Sequence, residues 1–402
     1  MIRLAPVDGG VTAAAGFRAA ATACGIKASG LDLAIIVPDA PAAAAAVFTT
    51  NRAQAAPVIV SREHLARTGG RAAAVVVNSG CANACTGADG LLVARETAAV
   101  AAGLAGCSPE EILVASTGVI GVSLDAGRIR RGLAAAFPSL DAARHAEAAR
   151  AIMTTDPFPK EAAVRLETPA GAFTVGGMAK GSGMIEPMMA TMLAFVTTDA
   201  RVAPPLLARA LREVVDVTFN AITVDGECST NDCAMVLAGG ASGVTIDDGT
   251  YPLLVRGMRA VCERLALGIV RGGEGATKLV TVRVAGAASP ADARRAAKAI
   301  ANSLLCKTAI HGGDPNWGRF IAVAGRAGVA FDLDRAAVSI GPTVLFSGGA
   351  PHDERAAEAA AYLKGREIEV TVDLGAGGRD EAVVWTCDLS AEYVRINAEY
   401  RT

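Results

Sequence analysis

Residues 180–195 read KGSGMIEPMMATMLAF, and Thr191 carries the one hydroxyl in the apolar half of this stretch. The Gly-rich start leads through Pro187 into an apolar run, which predicts a strand entering a core. Threonine is a good strand former, so this role alone would explain its presence. The small Ala190 before it also fits a second role, in which an N-to-O acyl shift and hydrolysis break the Ala190–Thr191 bond.

Cleavage at this bond would give Thr191 a free α-amine, whose ordinary pKa is about 7.7–8.0. Such an amine is partly neutral near physiological pH and can accept the proton of its own hydroxyl without a histidine. His64, His145 and His352 lie in charged or helical contexts and are expected on the surface. A self-activated threonine is therefore a candidate nucleophile, whereas a Ser-His-Asp arrangement has little support.

Two neighbouring features fit a catalytic role for Thr191. Thr117 and Gly118, in ASTGVIG, follow a predicted strand, so their backbone N–H groups are candidates to face a developing oxyanion. Lys180 and Glu186 stand close upstream of the threonine, in an interior-looking stretch with few other charges.

Strand-like apolar runs alternate with Ala-rich helical patterns along the chain, which predicts an α/β or α+β fold. After Lys278 the chain returns to strand, helix and strand, so two domains are predicted, 1–278 and 279–402. The predicted elements are a hairpin from 161–167 and 172–177, strands over 71–78 and 191–198, helices over 90–106, 203–219, 251–270 and 293–305, and a capping-box helix start at Ser108–Glu111.

Composition argues against several classes of protein. With 402 residues and a formal net charge of −2, the chain offers no electrostatic case for nucleic acid. The most apolar run, 34–48, is broken by Pro38, Asp39 and Pro41, so no membrane span is expected. The start, MIRLAPVDGG, has no signal-peptide pattern, and nine scattered cysteines fit a reducing cytoplasm.

Metal and phosphate sites have weaker support. The pairs Cys81/Cys85 and Cys228/Cys233 would supply four zinc ligands, but neither pair has Cys-x-x-Cys spacing, and free buried cysteine is common in intracellular cores. The Gly-rich stretches 176–183 and 272–278 do not match the phosphate-binding pattern in its strand–loop–helix setting, so turns are the simpler explanation.

The stretch around Thr191 resembles the nucleophile signature of the ornithine acetyltransferase family of arginine biosynthesis. Further segments resemble this family in order and from end to end: FTTNRAQAAPV (48–58), VNSGCANACTG (77–87), STGVIGV (116–122), MTTD (153–156), TFNAITVDGECSTND (218–232), GEGATK (273–278), KTAIHGGDPNWGR (307–319) and YVRINAEYRT (393–402). So many ordered matches make a chance resemblance implausible.

The resemblance implies a self-cleaving enzyme whose two chains, here 1–190 and 191–402, stay together in a cytoplasmic α2β2 heterotetramer. It implies an α/β sandwich core of the N-terminal-nucleophile-like type and a C-terminal α/β domain. The implied reaction moves an acetyl group from N-acetylornithine to glutamate through an acetyl-Thr intermediate, without a metal or organic cofactor. Some members also accept acetyl-CoA, although this sequence shows no motif that reads the phosphates of that coenzyme.

The family's site residues fall on positions of this chain with suitable chemistry. Thr191 would be the nucleophile and, through its α-amine, the base. Thr117 and Gly118 would form the oxyanion hole. The implied substrate-binding residues are Lys180 for a carboxylate, Glu274 for an ammonium group, and Asn397 and Thr402 for neutral hydrogen bonds.

A few positions depart from the family pattern. Pro157 follows MTTD where a substrate-contacting threonine is common, and Met188 and Cys81 each stand where asparagine is frequent. These departures bear on substrate preference more than on reaction type. Two alternatives stay open: an aminopeptidase or amidohydrolase of the related fold, with water as acyl acceptor, and an unprocessed amino-acid-binding protein.

Overall fold

The computed structural model describes residues 3–169, 171–186 and 192–399. Its backbone divides into two compact units. The first runs up to Asn220 and includes residues 227–269, and the second comprises residues 221–226 and the chain from Val270 onwards. The domain assignment made from the sequence, with its boundary after Lys278, stays a prediction.

The described part of the first unit contains strands and helices throughout. Its strands are β1 (Arg3–Pro6), β2 (Phe17–Thr22), β3 (Leu33–Pro38), β4 (Ala42–Phe48), β5 (Arg71–Ala72), β6 (Ala74–Cys81), β7 (Ile112–Val119), β8 (Lys160–Thr168), β9 (Gly171–Lys180), β10 (Leu193–Thr198) and β11 (Cys233–Ala238). Its helices are α1 (Ala56–Arg67), α2 (Gly87–Ala105), α3 (Ala126–Ala136), α4 (His145–Ala151), α5 (Pro204–Val217) and α6 (Tyr251–Arg271), the last of which ends in the second unit.

These strands form two sheets that face each other across an aliphatic core. One sheet has the order β1-β8-β9-β10-β11-β4-β5, and the other has the order β2-β3-β6-β7. The core between them includes Ile36 and Val77 from the smaller sheet and Phe195 and Met235 from the larger one. Every residue of β10 and β11 is buried, as expected for near-continuous apolar strands covered on both faces.

Helices cover the outer faces of both sheets. Ala98 of α2 and Leu133 of α3 pack with Ile35 and Val76 on the outer face of the smaller sheet. Over the larger sheet, α6 lies so close to β8 that a methyl group on Gly257 would meet the Leu166 side chain. The resulting helix–sheet–sheet–helix arrangement confirms the predicted α/β sandwich.

The second unit is built around one mixed sheet with the order β15-β14-β13-β16-β12-β17. Residues such as Val280, Val282 and Val370 bury one face of this sheet. The unit's elements are the strands β12 (Leu279–Ala287), β13 (Ala337–Ile340), β14 (Thr343–Ser347), β15 (Ala350–Pro351), β16 (Glu367–Asp373) and β17 (Asp380–Cys387), and the helices α7 (Pro290–Ala301), α8 (Leu304–Gly312), α9 (Trp317–Gly325), α10 (Ala356–Tyr362) and α11 (Ala391–Glu399).

Most predicted elements are confirmed, and three differ in extent. The predicted strand 71–78 is split, because β5 joins the larger sheet and β6 the smaller one. The capping box at Ser108 begins only one 3₁₀ turn, Pro109–Glu111, before β7 starts. The predicted helix 293–305 is interrupted, because Ser303 accepts the Cys306 N–H and so starts α8 as a separate helix.

The surface position expected for His64 is wrong. The side chain is buried, and its Nδ1 lies 2.8 Å from the carbonyl oxygen of Ile112 at the start of β7. The charged residues next to His64 in sequence suggested exposure. The burial depends instead on the orientation of α1, which places His64 against β7. None of the described helices is long and apolar enough to cross a membrane.

Candidate active site

The ends of two strands from different sheets meet at one edge of the sandwich. Lys180 is the last residue of β9, and Thr117 lies near the end of β7. The Lys180 Nζ donates a hydrogen bond of 3.2 Å to the Thr117 hydroxyl, and both residues are at least nine-tenths buried. Two of the predicted site residues, 63 positions apart in sequence, are therefore in direct contact.

The chain that follows the candidate nucleophile passes this same point. Leu193, the first residue of β10, pairs with Lys180 in the antiparallel ladder. Met192 is buried, and its carbonyl accepts the Cys233 N–H at 3.0 Å. Ala190 and Thr191 themselves lie outside the described residues, as does Thr402.

The backbone at Thr117–Gly118 is irregular in a way that suits an anion-binding loop. Gly118 pairs with Gly80, and the register then shifts, so that Cys81 stands opposite both Thr117 and Val119. Gly118 has a φ of 126°, and a methyl group there would lie 2.4 Å from the Gly80 carbonyl carbon. Such bulges disrupt the ladder and re-aim backbone groups.

A buried polar network holds this irregular edge. The Ser116 hydroxyl donates to the Asn78 side chain at 2.6 Å, and Asn78 donates to the Cys81 carbonyl at 2.9 Å. Asn231 donates to the carbonyls of Ser116 and Ala82 at 2.9 and 2.6 Å. The segments STGVIGV, VNSGCANACTG and TFNAITVDGECSTND, which were matched to the family by sequence, therefore act together to fix the end of β7.

A buried ion pair lies behind Lys180. Asp156 accepts a 2.5 Å hydrogen bond from the Lys160 ammonium and a 2.7 Å bond from the Gly181 N–H. Burial alone would raise the pKa of Asp156, but the charges of Lys180 and Lys160 hold this pKa below its usual range. Asp156 belongs to the MTTD segment, and its link to Gly181 fixes the backbone directly after Lys180.

In the second unit, two further predicted residues are in contact. The Asn397 side-chain amide, in α11, donates to the Glu274 carboxylate at 2.8 Å. Glu274 is only 6% exposed. A buried carboxylate with one neutral partner keeps acceptor capacity for a cationic ligand group.

Asp388 anchors the loop that carries Glu274. Its carboxylate accepts the N–H groups of Thr277 and Lys278, each at 2.8 Å, and lies 2.7 Å from the His311 Nδ1. Burial would raise the pKa of Asp388, but hydrogen bonds, first of all from the Thr277 hydroxyl, hold it below its usual range. His311 thus contacts a carboxylate, which the sequence did not indicate.

Metal-binding clusters are absent from the described residues, where no group of three or more His, Cys, Asp or Glu side chains is placed to hold an ion. The nine cysteines are free thiols. Cys81 donates to the Val122 carbonyl, and Cys228 lies 3.6 Å from the Thr49 hydroxyl.

Comparison with known proteins places this chain in a family. A sequence model of the ArgJ family matches residues 18–402. The chain belongs to the ArgJ family. It is 49% identical over 400 residues to the arginine biosynthesis bifunctional protein ArgJ of Symbiobacterium thermophilum, covering 98% of this chain and 99% of that protein. It is 50% identical over 395 residues to the protein of the same name from Geobacter sulfurreducens, covering 96% and 99%.

A solved member of the ArgJ family has the same fold over the part compared. The crystal structure of the arginine biosynthesis bifunctional protein from Bacillus halodurans matches with a TM-score of 0.50 and 42% identity. That match covers 52% of this chain and all of the solved chain. The resemblance stated from the motifs is therefore confirmed, and this ArgJ-family chain is an acetyltransferase of arginine biosynthesis.

Proposed function

We propose that this enzyme cleaves itself between Ala190 and Thr191 and then transfers an acetyl group from N-acetylornithine to glutamate through acetyl-Thr191. The observation that carries the proposal is the contact between Lys180 and Thr117, which lies beside Gly118 and beside the strand that follows Thr191. This contact gathers a cation, a hydroxyl and a glycine backbone around the start of the second fragment.

In the first half-reaction, the Thr191 hydroxyl oxygen attacks the acetyl carbonyl of N-acetylornithine. The α-amine of Thr191 takes the hydroxyl proton and returns it to the departing nitrogen as the C–N bond breaks, so ornithine leaves as an amine. In the second half-reaction, the neutral amine of glutamate attacks the ester, and Thr191 regains its proton. Atoms and charges balance without an added cofactor.

The Thr117 hydroxyl is suited to stabilise the oxyanion. Because Lys180 donates to the oxygen of this hydroxyl, the hydroxyl hydrogen stays available for a second acceptor. The neighbouring Lys180 charge polarises this donor, and the Gly118 N–H supplies the second proposed hydrogen bond. Donors fixed in this way before the reaction stabilise developing charge most effectively.

The substrate contacts are assigned to the charged side chains of Lys180 and Glu274, which keep capacity for further hydrogen bonds. Buried Lys180 has one neutral partner, so it suits a substrate carboxylate. Glu274 suits the side-chain ammonium of ornithine, with Asn397 holding it in place. We include Thr402 as a further substrate contact on the strength of the family pattern.

Two comparisons with relatives support the proposed cleavage and a second acetyl donor. The solved Bacillus halodurans chain corresponds in full to about half of this chain, which is the length expected of one cleavage product. The relatives are called bifunctional, which fits acetyl-CoA as a second acetyl donor. We propose in addition that the fragments 1–190 and 191–402 assemble as an α2β2 heterotetramer in the cytoplasm.

Intact mass measurement and N-terminal sequencing of the purified protein test the cut. We expect two fragments, with the second beginning at Thr191. Thr191→Ala should yield one uncleaved and inactive chain, whereas Thr191→Ser should still be cleaved, more slowly. An active, uncleaved wild-type enzyme would refute the mechanism.

Product analysis separates transfer from hydrolysis. With N-acetylornithine alone, only one equivalent of ornithine should be released rapidly, and added glutamate should restore turnover with N-acetylglutamate as product. Free acetate formed at the same rate with and without glutamate would instead assign the protein to the hydrolases.

A further inference from the structure

The lysines of this chain differ sharply in how their ammonium groups are satisfied. An ammonium group has three N–H donors. Most of the seven lysines are held by carboxylate, carbonyl or hydroxyl acceptors or are exposed. The satisfied ones are Lys160 on Asp156, Lys278 on the carbonyls of Ile310 and Leu363, Lys298 on the Ile222 carbonyl and a further partner, and Lys307 on the Thr386 hydroxyl and the Cys387 carbonyl, while Lys364 is exposed.

Two partly or fully buried lysines each have a single neutral acceptor among the described residues. Lys180 donates to the Thr117 hydroxyl, and Lys27 donates to the Met153 carbonyl at 3.1 Å. Each therefore keeps donors for a further acceptor. The role proposed for Lys180 accounts for one of them, whereas nothing described so far uses Lys27.

Lys27 is held in place by its own loop. The loop lies between β2 and β3, and the fully buried carboxylate of Asp32 closes it. This carboxylate accepts the N–H groups of Cys24, Ile26 and Lys27 at 2.7, 2.7 and 3.1 Å. The Lys27 backbone is therefore fixed, unlike that of an ordinary surface lysine.

The side chain of Lys27 passes over Gly80, the glycine that pairs with Gly118 of the proposed oxyanion hole. A methyl group on Gly80 would lie 2.7 Å from the Lys27 Cγ, and Gly80 pairs directly with Gly118. Gly80 has a φ of 99°, so both conformation and space exclude a larger residue there. Lys27 and Lys180 thus approach the same strand end, one over Gly80 and one at Thr117.

The positive charges of Lys27, Lys180 and Lys160 outnumber the negative charges of Asp32 and Asp156 near them. Burial lowers the pKa of Lys27, the carboxylates of Asp32 and Asp156 raise it, and the charge of Lys180 lowers it further. Asp32 is occupied by backbone N–H groups, and Asp156 is occupied by Lys160 and the Gly181 N–H. Among the described residues, the ammonium groups of Lys27 and Lys180 bond to the Met153 carbonyl and the Thr117 hydroxyl rather than to a carboxylate.

We propose that Lys27 is a specificity-determining residue that binds the second carboxylate of the acyl acceptor, next to the first carboxylate on Lys180. This inference rests on the proposed function and adds a substrate contact to it. The acetyl donor, N-acetylornithine, has one carboxylate, whereas the acceptor, glutamate, has two. Lys180 alone can bind the single carboxylate of N-acetylornithine, whereas the two carboxylates of glutamate need both Lys180 and Lys27.

The two half-reactions of the ping-pong mechanism allow a direct test with Lys27→Met. Ornithine release from N-acetylornithine reports the donor step, and transfer from the acetyl-enzyme to glutamate or glutamine reports the acceptor step. Glutamine has the size of glutamate without the second charge. We expect Lys27→Met to lower kcat/KM for glutamate by about 10- to 100-fold, the effect of one charge-assisted hydrogen bond, with glutamine and the donor step changed less than threefold.

Two further variants serve as controls. Lys27→Arg keeps the positive charge and should retain most of the preference for glutamate over glutamine. Lys364→Met removes an exposed lysine and should leave both half-reactions unchanged. Cleavage into two fragments on a denaturing gel shows that each variant has folded and matured.

The outcomes separate this inference from the function on which it rests. Equal losses in the donor and acceptor steps would place Lys27 at the oxyanion, and unchanged glutamate preference would make it structural; either result overturns the inference. A wild-type enzyme that releases ornithine but transfers nothing to glutamate or glutamine would instead overturn the acetyltransferase proposal.

Discussion

Gly118 and Gly121 share a positive φ, at 126° and 78°, but differ in what a methyl group would meet. At Gly118 it would lie 2.4 Å from the Gly80 backbone, whereas at Gly121 no atom lies within 4 Å. We expect Gly121→Ala to lower the free energy of unfolding by about 1 kcal/mol, from backbone strain alone. Gly118→Ala should lower it by about 2 kcal/mol more, because packed backbone must also move.

Urea denaturation of both glycine variants measures this difference. Acetyl transfer by Gly118→Ala should also fall, since the shift would displace the proposed oxyanion donor. Equal stability losses in the two variants would contradict the close approach of β6 and β7.

The hydroxyl of Thr117 gives a second prediction for a single residue. Thr117→Val keeps the shape but removes the donor, and we expect kcat to fall by about 10²- to 10³-fold, as for other oxyanion-hole donors. Thr117→Ser keeps the donor and should stay within about tenfold of wild type. Steady-state kinetics at saturating substrate measures the difference, and full activity of the valine variant would remove Thr117 from the mechanism.

Motifs in the local sequence were enough to select candidate site residues, but not to predict which residues hold them in place. Thr117, Lys180, Glu274 and Asn397 were assigned by motif and chemical type, and the structure brings them together within each unit as two pairs. The anchoring role of Asn231 was missed, because its contact with Ser116 joins residues 115 positions apart and leaves no local pattern.

Helix α2 and the turn after it show which sequence signals for the ends of helices are dependable. Its predicted end at Gly106 is confirmed, because this glycine has a φ of 69° and its N–H donates to the Ala102 carbonyl. The capping box at Ser108 was less informative, since the same hydrogen bonds close a single turn when an apolar run such as β7 follows at once. Cap signals mark where a turn starts, and the following residues decide its length.

Two glycines near the end of α2 should respond oppositely to alanine. Gly103 is inside the helix and Gly106 caps it, and a methyl group would meet no atom within 4 Å at either position. We expect Gly103→Ala to stabilise the protein by about 0.5–1 kcal/mol and Gly106→Ala to destabilise it by about 1 kcal/mol. Thermal unfolding of the two variants tests the assignment, and a shift in the same direction would contradict it.

At the scale of the whole molecule, each unit has a buried aspartate with a lowered pKa, Asp156 in the first and Asp388 in the second. Because the folded-state pKa lies below the ordinary value of 3.8, each contributes stability that is complete above that value. This stability is lost as the pH falls through the lower folded value. We therefore expect the free energy of unfolding to drop below about pH 4.

Asp388→Asn isolates one of these two contributions. The variant should be less stable than wild type at pH 7, because its amide is a weaker acceptor for the N–H groups of Thr277 and Lys278. Its loss of stability between pH 5 and pH 3 should be smaller than in wild type. Urea denaturation across this pH range makes the comparison, and an unchanged acid dependence would contradict the role of Asp388.

The order of the larger sheet has a consequence for the two fragments that the proposed cleavage would produce. Residues 1–190 supply β1, β8 and β9 on one side and β4 and β5 on the other, whereas β10 and β11 from the second fragment fill the middle. The proposed fragments would thus be interleaved, and neither could complete the sheet alone. Each piece expressed separately would expose the unpaired edges of central strands and should aggregate. Co-expression of the two pieces from two genes should instead reconstitute the protein, although the Ala190–Thr191 peptide bond is never formed.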